Sequence, residues 1–337
     1  MKLLVTGGSG FIGSALIRYI LNNTYDEVIN IDCLTYATTK WQHNYATFKE
    51  RYFFEQINIT NLEDLVKTFK FHKPDKVIHL AAESHVDRSI SGPAEFLNTN
   101  VHGTFNLLEA SRQYYSGLKI SQKSKFTFHH VSTDEVFGDL GLEKSSQCQL
   151  FNETSPYAPS SPYSASKAAS DHFVRAWGRT YKLPFIITNC SNNYGPFQYP
   201  EKLIPMIINN ALKGINIPVY GNGLQIRDWL YVDDHVAGLY LASCKGKIGE
   251  TYCIGGDSEL TNIDVITKVL EKLDTLCPSR NSYKNLITYV EDRSGHDQRY
   301  AIDASKIKKD LQWNPKETFD TGIEKTIKWY HSYFQKK

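Results

Sequence analysis

The sequence lacks the features that mark secreted, membrane-spanning and nucleic-acid-binding proteins. Its six cysteines include no CxxC pair and no His-rich cluster, so neither a disulfide framework nor a metal site is indicated. No run of about 18 apolar residues is present to span a bilayer, and residues 3–5 are too short for a signal-peptide core. The formal charge is only +2, which gives no broad attraction to nucleic acid or an anionic membrane. We therefore expect a soluble, cytoplasmic protein that holds any anionic ligand by local groups.

The first half of the chain instead carries a regular alternation of strands and helices. Short apolar runs, typical of buried parallel strands, occupy residues 3–6, 28–32, 52–57, 76–80, 126–132 and 185–188. Between them, apolar residues at a spacing of three to four predict amphipathic helices over residues 11–21, 62–71, 95–115 and 164–181. This alternation predicts an α/β fold, built as a Rossmann-type doubly wound parallel sheet.

A glycine-rich motif follows the first predicted strand and opens the first predicted helix. Its glycines, Gly7, Gly10 and Gly13, let the backbone turn sharply and let a pyrophosphate approach the free NH groups of the helix amino end. Asp32 ends the next strand about 20 residues later, where an acid would meet a ribose hydroxyl. Since a carboxylate repels a 2'-phosphate, the motif predicts NAD rather than NADP. At the end of another strand, small residues would let the cofactor approach, in the run Leu80-Ala81-Ala82.

Two further motifs carry groups that transfer protons. Tyr163 and Lys167 lie four residues apart on a predicted helix, so they share one face. A tyrosine acting as a base near pH 7 needs about 4 kcal/mol of anion stabilisation, which Lys167 and an oxidised nicotinamide can supply.

The triplet Thr133-Asp134-Glu135 follows the predicted strand 126–132 and offers more than hydride transfer needs. Its two carboxylates can act as an acid and a base, because close like charges separate their apparent pKa values. Successive residues of a strand point to opposite faces, so both can reach one substrate only if the strand has ended.

Longer segments, taken together and in order, resemble one enzyme family. They are HLAAESHVDRS (79–89), STDE (132–135), YAPSSPY (157–163), NCSNNYGP (189–196), EKLIP (201–205), IRDWL (226–230) and GHD (295–297). With these segments the chain resembles, over nearly its whole length, the extended short-chain dehydrogenases/reductases, and among them the nucleoside-diphosphate-sugar dehydratases.

The texture of the chain changes beyond about residue 188, where Asn- and Pro-rich loops replace the regular alternation. Residues 233–244 and 251–254 are typical of a helix and a strand that return to the first sheet. We therefore expect an NAD-binding Rossmann domain over 1–188 with a return of 230–256. A smaller, interleaved α/β domain over 189–229 and 257–337 would bind a nucleotide-sugar.

The resemblance implies a reaction that uses every group of the two motifs. Tyr163, as phenolate, takes the proton of the glucose C4 hydroxyl while a hydride passes to NAD, and Thr133 hydrogen-bonds the C4 oxygen. The new ketone acidifies C5, so that Glu135 can remove its proton. Asp134, in its protonated form, donates to the C6 hydroxyl, which leaves as water. The hydride returns to C6, so the predicted enzyme is a lyase that regenerates NAD.

The resemblance also implies binding residues at many further positions. Those expected to contact NAD, besides the glycines, Asp32, the 80–82 run, Tyr163 and Lys167, are Phe11, Ile12, Thr35, Asn58, Ile59, Ser84, Thr99 and Asn193. Those expected to bind the substrate, besides Thr133, are Ser84, Asn192, Lys202, Leu203, Tyr220, Arg227, Asn262, Arg293 and His296. Asn58 departs from the aspartate usual in the family, although its amide oxygen can still accept a hydrogen bond. The two arginines suit a pyrophosphate, because guanidinium forks onto its oxygens.

Several alternatives stay open on the sequence. The substrate is predicted to be dTDP-glucose, with UDP-glucose as the alternative, since the two differ by one methyl and one hydroxyl. A nucleotide-sugar 4-epimerase also oxidises C4, but it needs neither a C5 base nor a C6 acid. A non-catalytic NAD-binding sensor would have no use for Tyr163 and Lys167 beside the two acids. The helices predicted over 95–115 and 164–181 are long enough to form a four-helix interface, which predicts a homodimer.

Overall fold

The computed structural model describes residues 1–38, 45–142, 149–292 and 295–335. The strands are β1 (Lys2–Thr6), β2 (Glu27–Asp32), β3 (Tyr52–Gln56), β4 (Lys76–His79), β5 (Thr127–Thr133), β6 (Phe185–Cys190), β7 (Asn192–Tyr194), β8 (Ile217–Tyr220), β9 (Ile226–Tyr231), β10 (Thr251–Ile254), β11 (Glu259–Thr261) and β12 (Ile287–Val290). The helices are α1 (Phe11–Asn23), α2 (Leu62–His72), α3 (Val86–Ser91), α4 (Pro93–Phe96), α5 (Thr104–Ser116), α6 (Ile120–Lys123), α7 (Pro162–Tyr181), α8 (Leu203–Leu212), α9 (Val232–Lys245), α10 (Asn262–Leu276), α11 (Ser305–Leu311) and α12 (Phe319–Gln335).

The largest sheet of the described residues has seven strands in the order β10-β6-β5-β4-β1-β2-β3. Every neighbouring pair in it is parallel. The first six strands follow the doubly wound order 3-2-1-4-5-6, so the predicted Rossmann-type sheet is confirmed, and each predicted strand end lies within two residues of the observed one. The strand order reverses between β1 and β4, and in such sheets the crevice at that point receives the ligand.

Helices cover both faces of this sheet, which explains its continuously apolar strands. Leu3 and Val5 of β1 are fully buried against α1 and α9, whereas Leu4 between them is buried against α2, α5 and α7 on the other face. Alternate residues of a strand point to opposite faces. A sheet covered on both sides therefore leaves only its edges and strand ends for polar groups.

The remaining elements form a second apolar core. Helices α8, α10 and α12 pack around Ile207, Val265 and Ile323, which are fully buried. Two small sheets accompany them, with the strand orders β11-β9-β7 and β12-β8. Strand β9 runs directly into α9, and β10 pairs in parallel with β6 at the edge of the large sheet. The chain thus passes from the second core back to the first and out again.

The helix predicted over 95–115 is not regular. The chain forms α4, then a π-helical turn over Leu97–Gly103, and only then α5. Asn100 on the wider turn is buried, and its side chain binds the backbone of Glu83 and the hydroxyl of Ser166. The prediction of one continuous α-helix was therefore wrong, because a tertiary contact favours the π-turn over regular spacing. Among the described residues, no helix is both long enough and apolar enough to cross a membrane.

Candidate active site

The turn from β1 to α1 can be built only with glycine at two points. Gly7 has φ +70°, and a Cβ there would lie 2.7 Å from the backbone nitrogen of Ala81. A Cβ on Gly13 would lie 2.1 Å from the carbonyl oxygen of Gly7. Gly10, the residue before α1, supplies no side-chain cap, so amides of the first helical turn remain for an anionic ligand. This close-packed turn fits the pyrophosphate of a dinucleotide.

Asp32 lies beside the same turn at the end of β2. Its carboxylate accepts hydrogen bonds from the backbone nitrogens of Ser9, at 2.9 Å, and Leu34, at 2.8 Å. Burial raises the pKa of Asp32, while these two amides oppose the shift. The two amides hold the carboxylate at the mouth of the glycine turn, where a ribose hydroxyl would donate to it.

The carboxyl ends of the central strands border one cavity of about 360 Å³. Every residue predicted to bind the cofactor lines it, namely Gly7, Gly10, Phe11, Ile12, Gly13, Asp32, Thr35, Asn58, Ile59, Leu80, Ala81, Ala82, Ser84, Thr99, Tyr163, Lys167 and Asn193. The predicted catalytic residues Thr133, Asp134 and Glu135 line it as well. The structure therefore brings together groups that lie far apart in the sequence.

The triplet Thr133-Asp134-Glu135 lies where a strand ends, as its two carboxylates require if both are to reach one ligand. Strand β5 ends at Thr133, and a single 3₁₀ turn over Asp134–Phe137 follows. The hydroxyl of Thr133 accepts a hydrogen bond from the backbone nitrogen of Glu135, at 3.3 Å, and donates to Asp134 Oδ1, at 3.2 Å. Because the strand has ended, both carboxylates line the same cavity rather than opposite faces of the sheet.

The environment of Asp134 favours its protonated form. The residue is 1% exposed, and burial together with the negative charges of Glu135 and Asp228 raises its pKa well above the ordinary value. Its Oδ2 has no hydrogen-bond partner among the described residues. A neutral carboxyl group with an unused oxygen at a cavity wall is suited to donate a proton to a ligand.

Tyr163 and Lys167 occupy the first turns of α7. Ser161 starts this helix, since its hydroxyl accepts from the backbone of Ser164 and Pro162 occupies the first turn. Burial and the charge of Glu135 raise the pKa of Tyr163 well above its ordinary value, although a hydrogen bond with Thr133 opposes the shift. Lys167 Nζ donates to the carbonyl of Val131, at 2.9 Å. The expectation that this lysine helps to lower the tyrosine pKa therefore needs a further positive charge in the cavity.

The predicted substrate residues separate into two groups. Ser84, Thr133, Asn192 and Lys202 line the cavity, and Lys202 Nζ donates to the carbonyl of Ser84, at 3.0 Å. Leu203 follows Lys202 as the first residue of α8. Four other predicted residues do not line the cavity, namely Tyr220, Arg227, Asn262 and His296. Arg293 lies outside the described residues.

A rim cluster, formed by Gln225, Asn262, Asp292 and His296, joins two of these other residues. Asn262 Nδ2 donates to Gln225 Oε1, at 3.4 Å, and Gln225 Nε2 donates to Asp292 Oδ2, at 2.8 Å. Asp292 Oδ1 lies 2.7 Å from His296 Nδ1. The cluster thus connects a loop before β9, the start of α10 and the loop after β12 by side-chain contacts, and the backbone nitrogen of Asn262 also donates to the carbonyl of Gln225, at 2.9 Å. Tyr220 ends β8 and is 38% exposed.

The side chain of Arg227, predicted to bind the pyrophosphate, is already held by contacts within the protein. Its Nη1 donates to the carbonyl of Ile226, at 2.7 Å, and its Nη2 donates to the carbonyl of Asp297, at 2.9 Å. The guanidinium lies 4.2 Å above the ring of Tyr300. Nη1 also lies 3.4 Å from the carbonyl of Gln298. These contacts fix the position of the positive charge and leave Nε and the second proton of Nη2 for a ligand.

A contact that was not predicted from the sequence joins Tyr36, Arg88 and Glu201, and we call it the clasp. Tyr36 and Glu201 line the cavity. The phenol of Tyr36 donates to Glu201 Oε1, at 3.4 Å, and Arg88 Nη2 lies 3.5 Å from Glu201 Oε2. The guanidinium of Arg88 also lies 3.6 Å from the centre of the Tyr36 ring. Glu201 belongs to a segment of the family resemblance, but only the fold brings it to the other two residues.

Comparisons with known proteins agree with this site. A family profile described as GDP-mannose 4,6 dehydratase matches residues 4–326. The chain is 57% identical over 336 residues to dTDP-glucose 4,6-dehydratase 1 of Escherichia coli (strain K12), which covers 98% of this chain and 93% of that protein. DesIV, a dTDP-glucose 4,6-dehydratase from Streptomyces venezuelae solved with NAD bound, is 40% identical with a TM-score of 0.86, covering 98% of this chain and 97% of that chain.

A second solved structure shows how widely the fold is shared. A UDP-glucose 4-epimerase of Thermotoga maritima, solved with UDP-glucose, has a TM-score of 0.85 over 99% of this chain and 100% of that chain. Its sequence identity is only 28%. The backbone alone therefore does not separate the two kinds of enzyme, whereas the sequence does.

Proposed function

Since the chain belongs to the dTDP-glucose 4,6-dehydratases, within the wider family described as GDP-mannose 4,6 dehydratase, we propose that it converts dTDP-glucose to the 4-keto-6-deoxy sugar with NAD as cofactor. The observation that carries this proposal is the 3₁₀ turn after β5, which brings Asp134 and Glu135 to one cavity. Oxidation at C4 alone would need neither acid.

The first step would be carried out by Tyr163 and Thr133. Tyr163 takes the proton of the C4 hydroxyl, and Thr133 hydrogen-bonds the C4 oxygen. NAD, held by the residues that line the cavity, would supply the hydride acceptor for C4 and the hydride donor for C6, and its oxidised ring would supply the positive charge that favours a Tyr163 phenolate. Lys167 is buried at the same helix face and adds a second positive charge.

The second step would divide acid and base between the neighbouring carboxyl groups. Burial and two nearby carboxylates raise the pKa of Asp134, so Asp134 keeps the proton that the C6 hydroxyl needs to leave as water. Glu135 removes the C5 proton, which the adjacent ketone has made acidic. The charge of Glu135 helps to raise the pKa of Asp134, because neighbouring like charges disfavour ionisation of both groups.

The two cores would divide the ligands between them. We assign NAD to the Rossmann part, 1–188 with 230–256, and the nucleotide-sugar to 189–229 and 257–337. Asn192, Lys202 and Leu203 would hold the substrate at the cavity, and Arg227 would face the pyrophosphate. Tyr220 and the rim cluster would contact the nucleoside. The long helices α5 and α7 would form a homodimer interface.

The two rival enzymes are less well supported. The chain is 57% identical to a dTDP-glucose 4,6-dehydratase but 28% identical to a UDP-glucose 4-epimerase of nearly the same backbone. An epimerase also has no use for Glu135 as a C5 base. UDP-glucose as substrate has no specific support from a residue of the described site.

Turnover of dTDP-glucose in deuterium oxide tests the proposal. We expect a 4-keto-6-deoxy product that carries deuterium at C5, since the proton returned to C5 comes from the solvent. UDP-glucose in a parallel assay should give a lower kcat/KM. A product epimerised at C4 without deuterium at C5 would overturn the proposal, and faster turnover of UDP-glucose would reassign the nucleotide.

A further inference from the structure

The proposed mechanism leaves one fully buried acid without a role. Asp171 follows Lys167 by four residues on α7, as Lys167 follows Tyr163, so all three lie on one helix face. Asp171 is 0% exposed. Its Oδ2 accepts hydrogen bonds from Ser132 Oγ, at 2.9 Å, Tyr157 OH, at 2.8 Å, and Asn189 Nδ2, at 3.4 Å. A carboxylate so well supplied with donors is held as an anion.

A buried histidine lies between this carboxylate and the lysine. His130 Nε2 forms a hydrogen bond with Lys167 Nζ, at 3.4 Å, and lies 3.1 Å from Asp171 Oδ1, an ion-pair distance at which Oδ1 has no hydrogen-bond partner among the described residues. One ring nitrogen either donates a proton or accepts one, so at any moment His130 Nε2 serves only one of its two neighbours. His130 Nδ1 has no partner among the described residues. His130 therefore lies between the ammonium of Lys167 and the carboxylate of Asp171, and its Nε2 can hydrogen-bond to one of them at a time.

The charged forms of Lys167 and Asp171 stabilise each other. Burial lowers the pKa of Lys167, and the charge of Asp171 opposes that shift. Burial would raise the pKa of Asp171, but the contact with His130 and the charge of Lys167 outweigh it and lower the pKa. A lone buried ion is costly, whereas a pair bearing opposite charges is tolerated. Removing the charge of Asp171 would therefore lower the pKa of Lys167 further and favour its neutral form.

Other titratable groups also face this set. Tyr157 and, through it, Arg175 face Asp171, and Cys190 of β6 faces Lys167. The ring of His79 on β4 lies 5.2 Å from that of His130. Asp134 and Glu135 face Tyr163. Asp171 is the group among these that is fully buried, anionic and on the helix face of Lys167.

We propose that Asp171 is a positioning residue for the C4 oxidation, and that it acts through His130 to keep Lys167 charged and in place behind Tyr163. The inference rests on the proposed function, in which Tyr163 is the C4 base. Asp171 also fixes the end of β5, because Asn189 Nδ2 contacts both Asp171 and the carbonyl of Thr133, at 3.0 Å. One buried carboxylate thus ties the charged face of α7 to the strand that carries the triplet.

The pH dependence of kcat/KM for dTDP-glucose tests the inference in the variant Asp171→Asn. A buried lysine without an anion has a pKa as low as about 5 to 6, so Lys167 would be neutral at pH 7. Tyr163 would then ionise less easily. We expect the rising limb of the profile to move up by at least about one pH unit, with about tenfold lower kcat/KM at pH 7 and partial recovery at pH 9. A limb that stays in place or moves to lower pH would overturn the inference.

Tyr157→Phe is the matched control, because it removes one hydrogen bond to Asp171 but leaves the charge. Its rising limb should stay at the wild-type position, and an equal shift there would mean that packing rather than charge is measured. In a Lys167→Met background, Asp171→Asn should move the limb no further. The same shift in both backgrounds would show that Asp171 does not act through the lysine.

Two outcomes separate this inference from the proposed function. If the wild-type protein forms no 4-keto-6-deoxy product, the proposed function fails whatever Asp171 does. If the wild type turns over normally and the limb of Asp171→Asn stays in place, only the inference fails. Should Asp171→Asn not fold, Asp171→Glu retains the charge, and its limb should stay in place even where kcat falls. An upward shift in that variant would contradict the inference.

Discussion

The end of strand β5 and the rim cluster are built in opposite ways. At the strand end, Thr133, Asp134 and Lys167 are buried, and their positions follow from a parallel sheet and a capped helix. The rim cluster instead joins loops and a helix start through side-chain contacts, and the Asp292 side chain within it is 38% exposed. Groups that perform chemistry at one atom need fixed positions, whereas groups that select a ligand can be carried by loops.

The strand end and the rim cluster should contribute to different kinetic constants. A group that contacts the reacting atoms acts in the transition state, so its loss lowers kcat. A group that only holds the nucleotide binds ground state and transition state alike, so its loss raises KM. Substitutions at the two places should therefore affect different kinetic constants.

Glu135→Gln should have the largest effect on the chemistry. Removing a general base costs about 10² to 10⁴ in rate, so we expect kcat to fall about a thousandfold with little change in KM. The first hydride transfer should survive, because Tyr163 carries it out. Absorbance of enzyme-bound NADH should therefore appear on mixing with dTDP-glucose, while exchange at C5 and loss of water stop.

The exposed Glu50 provides a matched control, and Glu50→Gln should behave as the wild type. Loss of the NADH signal in Glu135→Gln would show that the triplet acts in the first step. The division of roles between Asp134 and Glu135 would then be wrong.

Acid should weaken the sheet through its buried histidines. Burial lowers the pKa of three histidines of the sheet, to about 3 for His129, to about 4 for His130 and well below the ordinary value for His79, and it lowers the pKa of His235 on α9 to about 3. Because the folded state binds their protons less readily than the unfolded chain does, their stability is complete above about pH 6.5 and is lost as pH falls towards 3. Each contributes up to about 1.4 kcal/mol per pH unit. Asp134, with its raised pKa, acts in the opposite direction.

Urea denaturation between pH 7 and pH 5 measures this slope, and we expect the free energy of unfolding to fall as pH falls below about 6. His129→Gln should flatten the slope by about 1.4 kcal/mol per pH unit, whatever its effect on stability at pH 7. The exposed His102 serves as the control, and His102→Gln should leave the slope unchanged. An unchanged slope in His129→Gln would mean that His129 is protonated in the folded state as readily as in the unfolded chain.

His296→Ala tests the rim cluster. Loss of a hydrogen bond that involves a charged group costs about 2 kcal/mol, so we expect KM for dTDP-glucose to rise about 30-fold, with kcat within about twofold. Steady-state kinetics on both constants checks this result. A thousandfold lower kcat at unchanged KM would remove the distinction between the strand end and the rim cluster.

The strand end was predictable from sequence because its constraints are local. Asp134 and Glu135 had to follow a strand end to face one ligand, and β5 does end at Thr133. The rim cluster was predicted only in part, since Asn262 and His296 came from the family resemblance while their partners Gln225 and Asp292 did not. No periodicity relates residues 225, 262 and 292, and contacts of this kind depend on how loops meet in the folded chain. The role of Asp171 was not predicted for a different reason. In the sequence, an acid within a predicted amphipathic helix cannot be distinguished from a residue on the exposed polar face.

The clasp is the smallest of these features. It joins the loop after β2, helix α3 and the segment before α8 through Tyr36, Arg88 and Glu201. The charge of Glu201 adds to burial in raising the pKa of Tyr36 to about 12, so this phenol remains a donor throughout the working pH range. Because two of the three side chains line the cavity that would hold NAD, we expect loss of the clasp to ease release of the cofactor.

Glu201→Gln should speed the release of NAD by up to about fivefold, since it removes the ion pair with Arg88 and a partly exposed ion pair contributes up to about 1 kcal/mol. Displacement of bound NAD by excess NADH, followed by fluorescence, measures that rate. Screening by 0.5 M salt, at a Debye length of about 4 Å, should shrink the difference between wild type and variant, because the lost interaction is a partly exposed charge pair. Glu50→Gln should release NAD at the wild-type rate. Equal release rates in Glu201→Gln and wild type would mean that the cofactor is retained by the sheet edge alone, and that the clasp only orders the loop after β2.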